Sequence, residues 1–242
     1  MSDNHGGIYN TGISVIIGNS VSNNSDRGIY NEGSSTVIND NSIIGNVTTG
    51  NSGAGIYNKG DSITITNNTI TGNTANSSDS CEWCLIAGGG IFNSGSYSII
   101  ENNIISGNSA VARDYNNIMY SGGGGVYNNG YSVTIENNII TNNICSNHWA
   151  YVYGSGIYSR SNYITIENNQ IENNSSEQLH VYDNFPKIIN NVITKGSDGI
   201  VIWMDSEGSK AEISNNSILN NSNYGISYVR GYLGSCTINR IE

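Results

Sequence analysis

The tripeptide Gly-Ile-Tyr begins at Gly7, Gly28, Gly55 and Gly156, with Gly90-Ile91-Phe92 and Gly125-Val126-Tyr127 as close variants and Gly199-Ile200 and Gly225-Ile226 as weaker echoes. A second marker follows each copy, an alternating stretch that closes on an Asn pair: Asn67-Asn68, Asn102-Asn103, Asn137-Asn138, Asn168-Asn169, Asn190-Asn191 and Asn215-Asn216, with less regular copies at Asn19, Asn41 and Asn239. Self-similarity at such a period means that one supersecondary unit is stacked many times, because a single unit cannot bury its own apolar face. The shortest units are about 22 to 25 residues and about nine fit in the chain. Each reads as short strands divided by Gly and Asn turns, too short for a propeller blade and without the Leu spacing of leucine-rich repeats.

Composition decides what the strands are. The 242 residues include 37 Ile and 42 Asn but only four Leu. Ile is stiff at χ1 and suits a pleated surface, whereas Leu favours helices, so an apolar complement made of Ile excludes an all-α fold. Side chains alternate faces along a strand, which assigns inward columns once units are aligned on their Asn pairs. Ile16, Ile38, Ile65, Ile100, Ile135, Ile166, Ile188, Ile213 and Ile238 make one stack. Val21, Ile43, Ile70, Ile105, Ile140, Ile171, Ile193 and Ile218 make a second, and Ile8, Ile29, Ile56, Ile91, Val126 and Ile157 a third. Three stacks imply three parallel sheets around one core. The second Asn of each pair (Asn68, Asn103, Asn138, Asn169, Asn191, Asn216) is expected to be a left-handed turn residue whose amide bonds to its copy in the next coil.

These units, of which Gly89-Gly90-Ile91-Phe92-Asn93 through Asn102-Asn103-Ile104-Ile105-Ser106-Gly107-Asn108 is the clearest, resemble right-handed parallel β-helix repeats. They are similar to those of the pectate-lyase-like superfamily, of chlamydial polymorphic outer-membrane proteins and of adhesin-like surface proteins of archaea. The resemblance covers nearly the whole chain and implies a fold: all-β, a right-handed parallel β-helix solenoid of about nine coils, one domain over residues 1–242. It implies no single function, since that architecture hosts lyases, hydrolases, adhesins and filament components.

The catalytic features that the resemblance leads one to seek, clustered Asp for Ca²⁺ with a basic proton abstractor or paired carboxylates, are not apparent on the Gly-Ile-Tyr face. Its outward positions are aromatic: Tyr9, Tyr30, Tyr57, Phe92, Tyr127 and Tyr158. No Arg or Lys is expected beside them, and Lys59 and Arg160 read as lacking an acidic partner at the matching position of the adjacent unit. The aromatic column is either an open platform for carbohydrate or another subunit, or a strip covered by the insertions. A chain without the constellation is expected not to be an enzyme.

Insertions fall at one point of successive units, near residues 74–89, 109–124 and 144–155, and so emerge side by side as one flank. That flank carries Trp83, Tyr115, Tyr120, Trp149, Tyr151 and Tyr153, together with Cys81-x-x-Cys84 and Cys145-x-x-His148. The latter have the ligand spacing of a tetrahedral metal site such as Zn²⁺; the favoured reading is a disulfide, Cys81 with Cys84 or one of them with Cys145, ahead of metal and free thiols. Cys236 aligns with Ala211 and reads as a small core residue. Glu101, Glu136 and Glu167 share an outward column, which is either a solvated face or a site for a divalent cation such as Ca²⁺ or a basic patch of a neighbouring subunit.

A net charge of −10 with nine Lys plus Arg removes the footprint that nucleic acid or anionic lipid requires. No apolar run reaches the roughly 20 residues of a membrane span, and Met1-Ser2-Asp3-Asn4 leads into patterned sequence without a charged-then-apolar leader. The last strand-like segment, Cys236-Thr237-Ile238, ends four residues before Glu242. Coil ends without polar caps predict head-to-tail stacking, hence an extracellular or cell-surface structural protein that polymerises with itself into a fibre, sheath or layer. The alternative is an adhesin or glycan-binding segment of a larger surface protein.

Overall fold

The computed structural model describes residues 1–49, 52–77, 85–112, 120–147, 151–230 and 235–241, and no helix occurs among them. Every strand pairing is parallel, as expected of a chain that returns to each face once per coil. The Gly-Ile-Tyr segments form a nine-stranded sheet from Ile8–Asn10 to Ile226–Arg230. The segments before and after each Asn pair form two further faces. The ten-residue strand Lys210–Leu219 runs through the corner between them and joins both into one sixteen-stranded sheet.

The register reproduces the three apolar stacks rung by rung: Ile65 pairs with Ile100 and Ile100 with Ile135, Ile70 with Ile105 and Ile105 with Ile140, Ile56 with Ile91 and Ile91 with Val126. The third stack continues through Leu179, Ile200 and Ile226. Nearly all inner members of these columns are fully buried. Full burial of each such side chain is worth about 1.5–3 kcal/mol, so the columns supply most of the driving force.

Corners are where a solenoid must satisfy backbone groups that no sheet pairs, and each corner carries its own asparagine ladder. At the first, Nδ2 of Asn68 donates to Oδ1 of Asn103 at 3.0 Å, Asn103 to Asn138 at 3.1 Å, Asn138 to Asn169 at 3.0 Å and Asn191 to Asn216 at 3.0 Å. The left-handed residue is the first Asn of the pair, however, not the second: Asn67, Asn102, Asn137, Asn168, Asn190 and Asn215 have φ of 54–57°. Strand alternation explains the exchange, since the second Asn points inward and is needed for the ladder while the first is free to turn. A second ladder runs through Asn24, Asn46, Asn73, Asn108, Asn143 and Asn174. A third runs through Asn10, Asn31, Asn58, Asn93 and Asn128, at the end of each Gly-Ile-Tyr strand. It is followed by a glycine column with no room for a side chain: a Cβ on Gly95 would lie 1.9 Å from the carbonyl oxygen of Gly60.

The insertions are themselves stranded. Val47–Thr49, Thr74–Asn76, Ser109–Ala112 and Ile144–Asn147 form a four-stranded sheet, and Leu85–Ala87, Tyr120–Gly122 and Tyr151–Tyr153 a three-stranded one. Two short sheets thus add to the three faces. They enclose a small second core of Ala54, Ala75, Ile86, Ala110, Ala112 and Cys145.

Candidate functional site

The six aromatics of the Gly-Ile-Tyr sheet stand in one register column. From Tyr9 to Tyr127 their rings stack face to face at centroid spacings of 5.1, 5.2, 4.7 and 4.9 Å, and Tyr158 closes the row edge-on at 5.4 Å. The column is open at one end and covered by the insertions at the other. Tyr9 is 69% exposed, whereas Phe92, Tyr127 and Tyr158 are buried beneath the three-stranded sheet, packed with Ala87, Leu85 and Tyr153. Small residues make this cover possible: a Cβ on Gly122 would sit 2.3 Å from Cδ1 of Tyr158.

Cations do lie beside the column, contrary to the expectation from sequence. The Arg27 guanidinium is 4.4 Å from the Tyr57 ring centroid and 5.1 Å from that of Tyr30, and Lys59 lies within 5.7 Å of both. Lys59 also has its acidic partner. Tyr30 pairs with Tyr57 and Asn31 with Asn58, so Glu32 follows in the rung below Lys59, and Nζ reaches Glu32 Oε1 at 3.1 Å and the Tyr30 hydroxyl at 2.7 Å. The Tyr30 hydroxyl donates to Glu32 at 2.6 Å, and the two donors hold the Glu32 carboxyl below its ordinary range. This knot links two successive rungs at the open end of the column.

At the other end the motif degenerates, and a cleft opens. Gln178-Leu179-His180 occupies the place of Gly156-Ile157-Tyr158, so His180 inherits the aromatic position. Its imidazole is buried, with Nδ1 2.8 Å from Glu177 Oε2, and it packs against the Tyr153 and Tyr158 rings at 4.7 and 5.3 Å. Glu177 Oε2 also accepts the Gly154 N–H at 3.0 Å. Two residues further along each strand, Arg160, Tyr182 and Trp203 form the next outward column. The Tyr182 hydroxyl donates to Asp205 at 2.5 Å, which raises the Tyr182 pKa and lowers that of Asp205. Tyr153, Tyr158, Arg160, His180, Tyr182 and Trp203 line a depression of about 190 Å³. Of this group, sequence reading singled out Tyr153 and Tyr158 but missed His180, Tyr182 and Trp203, because it followed the Gly-Ile-Tyr signature, which is lost here. Alignment on Asn169 and Asn191 would have placed His180 under Tyr158.

The remaining expected sites are distributed as follows. Glu101, Glu136 and Glu167 are adjacent in register, and the Glu136 carboxyl is raised by burial and by the charges of Glu167 and Glu101. Cys145 lies inside the second core, in the column of Thr48, Ala75 and Ala110, rather than on the outer flank, and is a free thiol pushed up to about 12 by burial. Cys81, Cys84, His148, Trp83, Tyr115 and Trp149 lie outside the described residues. Among the described residues no group of three His, Cys, Asp or Glu is placed to hold a metal ion. Of the flank aromatics, Tyr151 is exposed and stacks on Tyr153, and the Tyr120 backbone pairs with Leu85 and Tyr151. Cys236 pairs with Ala211 and packs half-buried on the main core. Among the described residues no helix is long and apolar enough to cross a membrane.

No curated protein and no solved structure matches the chain. A family model for the right-handed β-helix region matches residues 6–144 and again 105–242, and with parallel strands stacked over the same span the chain belongs to the right-handed β-helix family.

Proposed function

We propose that this protein is a non-catalytic, extracellular glycan-binding β-helix whose binding site is the cleft at the end of the aromatic column. The observation that carries this reading is the side-by-side placement of Tyr182 and Trp203 with Arg160 and His180 around one open depression. A pyranose ring has an apolar C–H face and a rim of hydroxyls, and aromatic faces flanked by fixed donors match both. At about 190 Å³ the depression is smaller than the roughly 300–1,000 Å³ of drug-sized pockets, which suits a single ring of a chain. Among the described residues, no Asp or Glu lines the depression; Glu177 accepts from His180 and the Gly154 N–H and Asp205 accepts from Tyr182, which fixes the side chains a hydroxyl-rich ligand would meet. The test is affinity electrophoresis through soluble polysaccharides with the parent and Trp203→Ala. Retardation of the parent that falls at least tenfold in the variant is expected. Release of new reducing ends or unsaturated sugars would overturn the non-catalytic reading.

A further inference from the structure

A second aromatic row, absent from the Gly-Ile-Tyr column, follows the corner after that sheet. Tyr97, Tyr131, Tyr163 and Phe185 succeed one another along the solenoid with ring centroids 5.8, 5.3 and 4.7 Å apart. Unlike the buried members of the first column, Tyr97, Tyr131 and Tyr163 are 61%, 43% and 46% exposed. The row leads into an open groove of about 580 Å³ lined by Tyr163, Phe185, Pro186, Lys187, Lys210 and Glu212, among others.

The backbone singles out two members of this row, Tyr97 and Tyr163. The turn position in question has φ of 54–57° in Ser35, Ser62 and Ser132, and the same left-handed conformation is imposed on Tyr97 at 55° and Tyr163 at 63°. A bulky side chain there is a genuine outlier, and strain of this kind collects at binding sites. The surroundings hold the strain in place. The Tyr97 N–H donates to the Tyr131 carbonyl at 2.8 Å, and the buried Asp183 carboxylate accepts the N–H groups of Tyr163, Ile164 and Phe185 at 3.0, 2.7 and 2.7 Å.

We propose that this row and its groove bind one extended glycan chain running along the solenoid axis. The proposal rests on the glycan-binding reading above and assigns the site that holds the polymer rather than a single ring. The geometry favours sugar over a protein partner. The strip is one aromatic residue wide, far short of the roughly 600 Å² per partner that even a small specific protein interface needs. Each ring instead has polar neighbours within its own turn, Ser96, Ser132 and Asn162, which lie one step from a tyrosine on the same corner and can meet hydroxyls at the ring edges. Lys187, Lys210 and Glu212 offer donors and acceptors where the row ends. Successive rings advance by one coil, a step comparable to one sugar unit of an extended chain.

The test uses the natural occupant of the turn. Tyr97→Ser/Tyr163→Ser restores at both positions the residue found in sister coils, so the variant folds and its thermal midpoint should equal or exceed that of the parent. Affinity electrophoresis is run in hydroxyethyl cellulose, galactomannan and mixed-linkage β-glucan, with Trp203→Ala in parallel. Retardation by at least one of these polymers should fall at least tenfold in the double serine variant. Unchanged retardation with Trp203→Ala impaired overturns this row while sparing the cleft, and a fall in thermal midpoint together with binding assigns the tyrosines to packing and also overturns it. A parent chain retarded by none of the three overturns both.

Discussion

Asn102 and Asn103 are neighbours of identical chemistry with opposite structural duties, so their replacement separates turn geometry from buried hydrogen bonding. The Asn103 side chain is 1% exposed. Its Oδ1 accepts from the backbone N–H of Asn68 at 2.9 Å and from Asn68 Nδ2 at 3.0 Å, and its Nδ2 donates to the carbonyls of Ile65 and Glu101 at 2.9 and 2.8 Å and to Asn138 Oδ1 at 3.1 Å. In Asn103→Ala the Asn68 amide group keeps its bonds to the Ile38 and Thr66 carbonyls, and Asn138 Oδ1 keeps the Asn103 N–H. The buried Asn68 N–H loses its acceptor, which costs about 1–3 kcal/mol, and the Ile65 carbonyl loses a donor at about 1 kcal/mol, while the Glu101 carbonyl keeps the Asn67 N–H, for about 2–4 kcal/mol in all. Asn102 is exposed with φ 55°, so Asn102→Ala costs about 1 kcal/mol for a left-handed residue with a Cβ, and Asn102→Gly stays within about 0.5 kcal/mol. Urea unfolding followed by circular dichroism reads the difference: at a slope of about 2–3 kcal/mol/M, the midpoint drops by about 1–2 M for Asn103→Ala and by less than about 0.5 M for either Asn102 variant. Equal shifts for Asn103→Ala and Asn102→Ala would refute the assignment of ladder and turn.

The acidic column gives a pH prediction. Because folding raises the Glu136 pKa, through burial first and then Glu167 and Glu101, this group adds stability below the ordinary carboxylate range and withdraws it as pH climbs through the raised value. The parent therefore gains more stability than Glu136→Gln between pH 7 and pH 4, and at pH 7 the variant melts higher by about 0.5–1 kcal/mol, since each pair near 4.8 Å repels by about 1 kcal/mol in water and solvent relieves part of it; identical pH profiles would rule this out. Cys145, with its thiol buried and pushed up to about 12, should stay unlabelled by maleimide in the native state and react on unfolding, as read by intact mass. Gly122→Ala forces a methyl against Tyr158 and should cost about 1–3 kcal/mol and displace that ring from the cleft wall, lowering thermal midpoint and polysaccharide retardation together.

The fold was legible because its two determinants are periodic. Ile recurs at fixed offsets from the Asn pairs, and strand alternation turns offsets into faces, so the three stacks could be written down residue by residue. The third stack was followed only to Ile157, because Leu179 carries no Gly-Ile-Tyr signature. That the second Asn of each pair bonds to its copy was legible, but the left-handed turn belongs to the first, since both residues tolerate φ > 0 and only the inward orientation of Asn68 or Asn103 separates the two duties. The ladders through Asn31 and Asn73 were hidden for another reason: Asn31 and its copies stand after an aromatic residue, and the Asn73 ladder reads Gly-Asn at Asn46, Asn73 and Asn108 but Asn-Asn at Asn24, Asn143 and Asn174. Lys59 with Glu32 required the register, which pairs positions 27 residues apart in one coil step and 35 in the next. Where coil length varies, neighbours across coils cannot be read from a constant period.

That variability points to where function resides. The steps between ladder residues are 27, 35, 35, 31, 22 and 25 residues from Asn41 to Asn216, yet every step closes with side-chain hydrogen bonds of 3.0–3.1 Å. Added chain leaves as strands of the insertion sheets, with their own core, and returns to the same register. A scaffold of this kind fixes its interior so strongly that outward positions change without disturbing the stack. The outward departures from the repeat are then the informative residues: His180 where Tyr recurs, Arg160 and Trp203 beyond it, Tyr97 and Tyr163 where Ser recurs. None adds to the main apolar core, and the two tyrosines act against their own backbone preference. Replacing Tyr97 and Tyr163 by the serine that recurs in their column should therefore leave unfolding unchanged or improved while removing the proposed glycan row, which is the reverse of what Asn103→Ala does to the ladder.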